Sequence, residues 1–159
     1  MRNEVAPELD RLDQLIVAQL QEDGRSGYRE MARSFGVSEG TVRWRVRRLL
    51  DSGLLRIVAV ANPFRLGYQV VASIFLRVAP TELQHVIDEV VTWPEVLWAA
   101  SCTGRADVYI HVVCREHEDL WELLGSRIPA IGGVLETETL IELKLHKSHY
   151  VYPGTDENG

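Results

Sequence analysis

Residues 38–53 read SEGTVRWRVRRLLDSG. Ser38 is a good N-cap, because its hydroxyl can accept an unpaired amide of a first helical turn, and Gly53 stands where helices commonly stop. At about 100° per residue, Val42, Val46 and Leu49 form one apolar stripe with Leu50 on its edge. Gly40, Arg43, Trp44, Arg47 and Arg48 fall on the other side, and Arg45 lies toward the bundle side, where a structural role is expected. One face of this helix needs a core, and the other suits an anion. A solvated charged face is the ordinary meaning of such a run, so the neighbouring segments must decide between the two.

Upstream, LDRLDQLIVAQLQEDG places Leu9, Leu12, Leu15, Ile16 and Leu20 at helical spacing, and Asp23-Gly24 supplies a stop. YREMARSFG repeats the pattern over a shorter length, with Met31, Ala32 and Phe35 apolar and Gly36 as terminator. A helix, a short helix, a glycine turn and an arginine-faced third helix make a helix-turn-helix, whose last helix enters the major groove of double-stranded DNA. Arginine's fork can grip guanine O6 and N7 or a phosphate. The β-branched run at 54–60 then predicts a strand or wing.

The charge distribution supports a local cationic module. The whole chain carries a net charge of −6, yet Arg25 to Arg56 holds 8 arginines against 3 acids. A positive patch in an otherwise acidic protein suits one module that meets phosphate. The 159 residues leave room for one large domain or two small ones. No apolar run approaches the roughly 18 residues of a membrane span, and no signal-peptide core is evident, so a cytoplasmic protein with no membrane partner is expected. Cys102 and Cys114 do not make a secreted disulfide framework.

Asn62-Pro63 and Leu66-Gly67 break the pattern, which places a linker at 62–68 between a first domain at 1–61 and a second at 69–159. In the second, VVASIFLRV reads as a strand with Ala72, Ile74, Leu76 and Val78 on one face. ELQHVIDEVVTW reads as a helix closed by Pro94, and EVLWAASCT and DVYIHVVCR as strands. EHEDLWELLGSRI reads as a helix broken by Pro129 and Gly132-Gly133, and VLETETLIELKLH as the last strand. The order βαββαβ predicts an α+β, ferredoxin-like sandwich, with four antiparallel strands and two helices on one face. The other face would carry Val71, Phe75, Tyr109 and Val113, too apolar for water, and predicts pairing with a second copy.

Cys102, His111, Cys114 and His117 invite a metal reading. Strand alternation, however, puts His111 and Cys114 on opposite faces, so no shared tetrahedral ion, and no cofactor, is expected. Cys114 reads as a small core residue. No nucleophile elbow or activated pair is seen, so no catalytic residues are assigned.

In their joint order these residues resemble the Lrp/AsnC, or feast/famine, family of transcription regulators, from roughly Leu9 to Lys147. The likeness rests on LDxxD at Leu9 to Asp13, LQxDGR at Leu20 to Arg25, GVSxxTVRxRVxRL at Gly36 to Leu49 and GLL at Gly53 to Leu55. It continues with T-G-x-x-D at Thr103 to Asp107 and T-x-T at Thr137 to Thr139. The resemblance implies a DNA-binding regulator, with Tyr28, Ser38, Gly40, Thr41, Arg43, Trp44, Arg47 and Arg48 at the DNA. Arg43 and Arg47 are the expected base or phosphate contacts, with Arg48 and Tyr28 as backbone clamps. It also implies a homodimer that assembles into octamers or larger rings. A small effector, an amino acid in most of the family, would bind between dimers at Thr103, Gly104, Arg105, Asp107, Thr137 and Thr139. Sirohaem decarboxylase subunits share this architecture and form the enzyme alternative, with His111, His117 or His146 as candidate groups.

Overall fold

The computed structural model describes residues 9–146, and the ends of the two expected domains, 1–8 and 147–159, lie outside the described residues. The chain divides into two compact units that meet between Val60 and Ala61.

The first unit is a three-helix bundle of α1 (Arg11–Glu22), α2 (Tyr28–Phe35) and α3 (Glu39–Asp51). Asp10 caps α1 by accepting the Asp13 amide at 2.9 Å, and Asp13 reaches back to the Asp10 amide at 3.3 Å. This reciprocal box satisfies two amides that the first turn leaves without partners. Gly36 ends α2 at φ 68°, a conformation that glycine adopts without steric penalty. Ser38 caps α3 through the Thr41 amide at 3.0 Å. Ile16, Val17 and Leu20 pack with Met31, Ala32, Val42, Val46, Leu49 and Leu55 in one core; of the stripe read on the first helix, Ile16 and Leu20 are buried and Leu9, Leu12 and Leu15 half-buried, while Val17 joins the core unread.

Residues 54–60 do not form the expected strand or wing. Leu55 is tucked into the bundle, its amide bonded to the Leu49 carbonyl at 3.1 Å. Ile57, Val58 and Val60 stand exposed. β-branched composition favours extended backbone, but a ladder needs a neighbouring strand.

The second unit begins with a short 3₁₀ turn, Pro63–Leu66, capped by the Asn62 side chain, and the Gln69 amide bonds the Cys114 carbonyl at 3.1 Å. Most of the stretch read as a linker is therefore folded structure. There follow β1 (Val70–Val78), α4 (Leu83–Val90), β2 (Val96–Ser101), β3 (Val108–Cys114), α5 (His117–Glu122), a π turn (Leu123–Arg127), α6 (Ile128–Ile131) and β4 (Val134–Ile141). The antiparallel sheet has the order β2-β3-β1-β4. Ala72, Ile74, Leu76 and Val78 share one face as read, and with Val108, Ile110 and Val112 they pack against Val86, Val90, Leu120, Leu123 and Ile128.

Two boundaries differ from the sequence reading. The last helix does not stop at Pro129. It passes through by widening into the π turn, where the Ile128 amide bonds the Leu123 carbonyl. Proline lacks a donor and crowds the carbonyl four residues back, and a wider turn accommodates both. The last strand ends at Ile141 rather than continuing to His146.

On the sheet's other face, Val71 pairs with Val113, Ser73 with His111 and Phe75 with Tyr109. Val71 and Val113 are buried within the chain, while Phe75 and Tyr109 are half-buried, their rings 5.2 Å apart. Trp98, opposite His111, and Leu140, opposite Ser73, are exposed beside them.

Ile110 is fully buried at the centre of the sheet. Ile110→Ala is expected to destabilise the second unit by about 2–5 kcal/mol, read as a lower urea midpoint; an unchanged midpoint would contradict this core assignment.

Candidate nucleic-acid interface and effector turn

The buried valines and Leu49 set the roll of α3, and that roll presents Gly40, Arg43, Trp44 and Arg47 along one exposed line. Arg43 is 65% exposed and pairs with Glu39 at 2.6 Å, its guanidinium 5.6 Å from the half-buried Tyr28 ring. Arg47 is 83% exposed and lies 3.7 Å from Asp51. Both pairs join neighbouring turns of one helix in water, where such contacts are weak and readily exchanged for a phosphate. Gly40 is open to solvent, and a Cβ there would meet only Ser38 Oγ at 3.7 Å. The Ser38 and Thr41 hydroxyls bond each other at 2.8 Å, so both already serve the start of α3.

Arg48, read as a DNA-backbone clamp, is 36% exposed and drawn toward the bundle. Its guanidinium bonds Asp13 Oδ2, and Arg45 bonds the same oxygen at 3.1 Å as well as Asp10. Asp13 is 0% exposed, and a carboxylate without water holds its charge only beside cations. Arg48 is thus committed to the bundle first, and Arg45 has the structural role read for it. The Asp10 carboxyl is held below its ordinary value, first by the Asp13 amide and then by Arg45. Arg45 is raised, chiefly by its bond to Asp10. Trp44 remains 58% exposed, with the Arg45 and Arg48 guanidiniums 5.5 and 5.3 Å from its ring centre.

This carboxylate was the functional residue least legible in the sequence. The pair of acids at Asp10 and Asp13 signals a capping box, but nothing local shows that Asp13 meets arginines 32 and 35 positions away.

The turn between β2 and β3 carries the second predicted site. Gly104 adopts φ 115°, open to glycine. Asp107 Oδ2 accepts the Val78 amide at 2.9 Å, and the Asp107 amide bonds the Leu76 carbonyl at 2.9 Å, which pins the turn to the end of β1. Arg105 pairs with Glu138 at 3.1 Å and lies 4.6 Å from the Phe75 ring centre. Thr103 is exposed on the turn. Thr137 and Thr139 stand opposite Leu76 and Ile74, on the helix side of the sheet, whereas Glu138 stands opposite Phe75 on the other. Within one protomer, Arg105 and Glu138 are therefore brought together, while the two threonines point to the opposite face.

Cys114 lies in the core, where burial pushes its thiol up to about 11. His111 sits on the opposite face near Glu142, at 3.8 Å. Among the described residues, no three His, Cys, Asp or Glu side chains gather as a metal site, and no helix is long and apolar enough to cross a membrane.

A bundle with an outward arginine-bearing third helix, followed by an α+β sandwich, defines a helix-turn-helix protein with a second, α+β module. Residues 9–50 match the AsnC-type helix-turn-helix domain, and residues 71–152 match the Lrp/AsnC ligand binding domain. An HTH-type transcriptional regulator of Pyrococcus horikoshii is 37% identical over 144 residues, covering 90% of this chain and 91% of its own. The regulatory protein AsnC of Haemophilus influenzae is 32% identical over 138 residues, covering 86% and 92%. Among solved structures, E. coli AsnC superposes with a TM-score of 0.80 at 29% identity, covering 90% of this chain and 97% of that one. The chain belongs to the Lrp/AsnC family of transcriptional regulators.

Removing one member of a buried ion cluster costs about 3–5 kcal/mol, so Asp13→Ala should lower the thermal midpoint far more than Glu39→Ala; equal shifts would refute the asymmetry. Asp10, whose folded value lies below the ordinary 3.8, adds stability that is complete above that value and is lost as pH falls through the folded one. Asp10→Asn should accordingly flatten the acid limb of the melting curve, and an unaltered limb would count against the assignment.

Proposed function

We propose that this regulator binds specific DNA sequences through residues 1–61, joined through 62–68 to a ligand-responsive and oligomerising module at 69–159. The observation that carries the reading is the exposed line Gly40, Arg43, Trp44 and Arg47 on α3, with both guanidiniums in surface ion pairs. A major groove admits one helix, and such a line offers it two cationic forks beside a glycine that lets backbone approach. In this proposal Arg43 and Arg47 contact bases or phosphates. Tyr28 braces Arg43, Ser38 and Thr41 set the helix start, and Arg48 acts through the placement of α3 and Trp44.

The proposed working unit is a homodimer in the cytoplasm, assembled further into octamers or larger rings. The half-buried Phe75 and Tyr109 beside exposed Trp98 and Leu140 support pairing of sheet faces. Two third helices about 34 Å apart would then read a roughly palindromic operator. The proposed effector is an amino acid bound between dimers by Thr103, Gly104, Arg105, Asp107, Thr137 and Thr139. Threonines on the face opposite Arg105 fit a site completed by another protomer. The match to a ligand-binding domain supports a small molecule, and the named relatives are regulators rather than enzymes.

Fluorescence anisotropy with the DNA upstream of its own reading frame tests the first half. Binding should saturate and weaken steeply with salt, and Arg43→Ala should cost about 1–3 kcal/mol if the side chain is bidentate to guanine. Unchanged affinity would reject that contact. For the second half, a thermal-shift screen of the twenty amino acids should find one that stabilises the protein, and Asp107→Ala should abolish that shift. An Asp107→Ala protein with an undiminished shift would remove Asp107 from the site.

A further inference from the structure

From the geometry of α3 we infer that Trp44 is a base-reading residue, selective for the C5-methyl group of a thymine in the major groove. The inference rests on the DNA-binding reading above and goes further in naming the chemical group that is read.

Three observations converge on it. On a wheel of about 100° per residue, Trp44 lies within roughly 20° of the direction opposite the buried stripe of Val42, Val46 and Leu49. It therefore shares the outward face of α3 with Arg47, and Arg43 lies farther round the same side. Next, the indole is 58% exposed on a helix whose apolar side is already buried, so its apolar area is available to a partner. Finally, the ring is braced. The Arg45 and Arg48 guanidiniums that lie 5.5 and 5.3 Å from its centre are themselves tied to Asp13, and Arg45 also to Asp10. Cations over an aromatic face are attracted by its quadrupole, and a pre-positioned ring loses little freedom when it meets its target.

The chemistry of the groove then selects the target. Base edges offer nitrogen and oxygen donors and acceptors, with one apolar group among them, the thymine methyl. A ring whose single donor is the indole N–H gains little from phosphates, and its two nearest cations are held by carboxylates. A methyl packed against the indole removes apolar area from water on both partners.

The test uses the full-length protein. Duplexes are selected from a random pool, and each thymine of the enriched half-site is replaced singly by deoxyuridine, which removes the methyl and leaves every hydrogen-bonding group. Wild-type binding should fall about four-fold at one thymine per half-site, the fold-change that one buried methyl corresponds to. Trp44→Ala should bind thymine and uracil duplexes equally, and Trp44→Leu should keep part of the difference. Circular dichroism melts of both variants check that the bundle stays folded. A half-site indifferent to uracil, a half-site without thymine, or a uracil penalty that persists in Trp44→Ala overturns the role of Trp44 while leaving DNA binding intact. Failure to enrich any duplex overturns the DNA-binding reading itself, and this inference with it.

Discussion

A single carboxylate, Asp13, governs how the first unit presents itself. It is sealed from water, caps the start of α1 together with Asp10, and collects the guanidiniums of Arg45 and Arg48 from α3. A charge placed there without partners would be strongly unfavourable, and two arginines on one oxygen make it tolerable. The consequence is geometric. With Arg45 and Arg48 committed inward, this cluster adds to the buried stripe of Val42, Val46 and Leu49 in directing Arg43, Trp44 and Arg47 outward.

That arrangement divides four arginines of one helix into two kinds. Arg45 and Arg48 are anchors whose charges are largely used within the bundle. Arg43 and Arg47 face water and pair with Glu39 and Asp51, one turn away on the same helix, with the Arg43 guanidinium also near the Tyr28 ring. A phosphate competes easily with pairs of the second kind and poorly with the first. The cationic patch counted from composition is therefore narrower in effect than its arginine content, and more directional.

The second unit follows a different logic, in which β1 is the organiser. It pairs with β3 on one side and β4 on the other, and its alternate residues build the core against α4 and the π-interrupted last helix. Asp107 fixes the β2–β3 turn to the end of β1 by accepting the Val78 amide, at the place where the β1–β4 register shifts. Arg105, by contrast, leans over Phe75 toward Glu138 on the opposite face from Thr137 and Thr139.

The helices and the βαββαβ succession of elements were legible in the sequence because they depend on local periodicity: apolar residues three or four apart on a helix, two apart on a strand. The exposed line on α3 was legible for the same reason. What tertiary structure alone decided concerns contacts between residues far apart in the chain: the capture of Arg48 by Asp13, the bracing of Trp44, the placing of Arg105 on one sheet face and Thr137 and Thr139 on the other, and the missing strand at 54–60. Periodicity states which side of an element faces inward. It is silent on which partner waits there, because an ion pair or a strand pairing depends on the distance between separate elements, and that distance is set only when the elements pack.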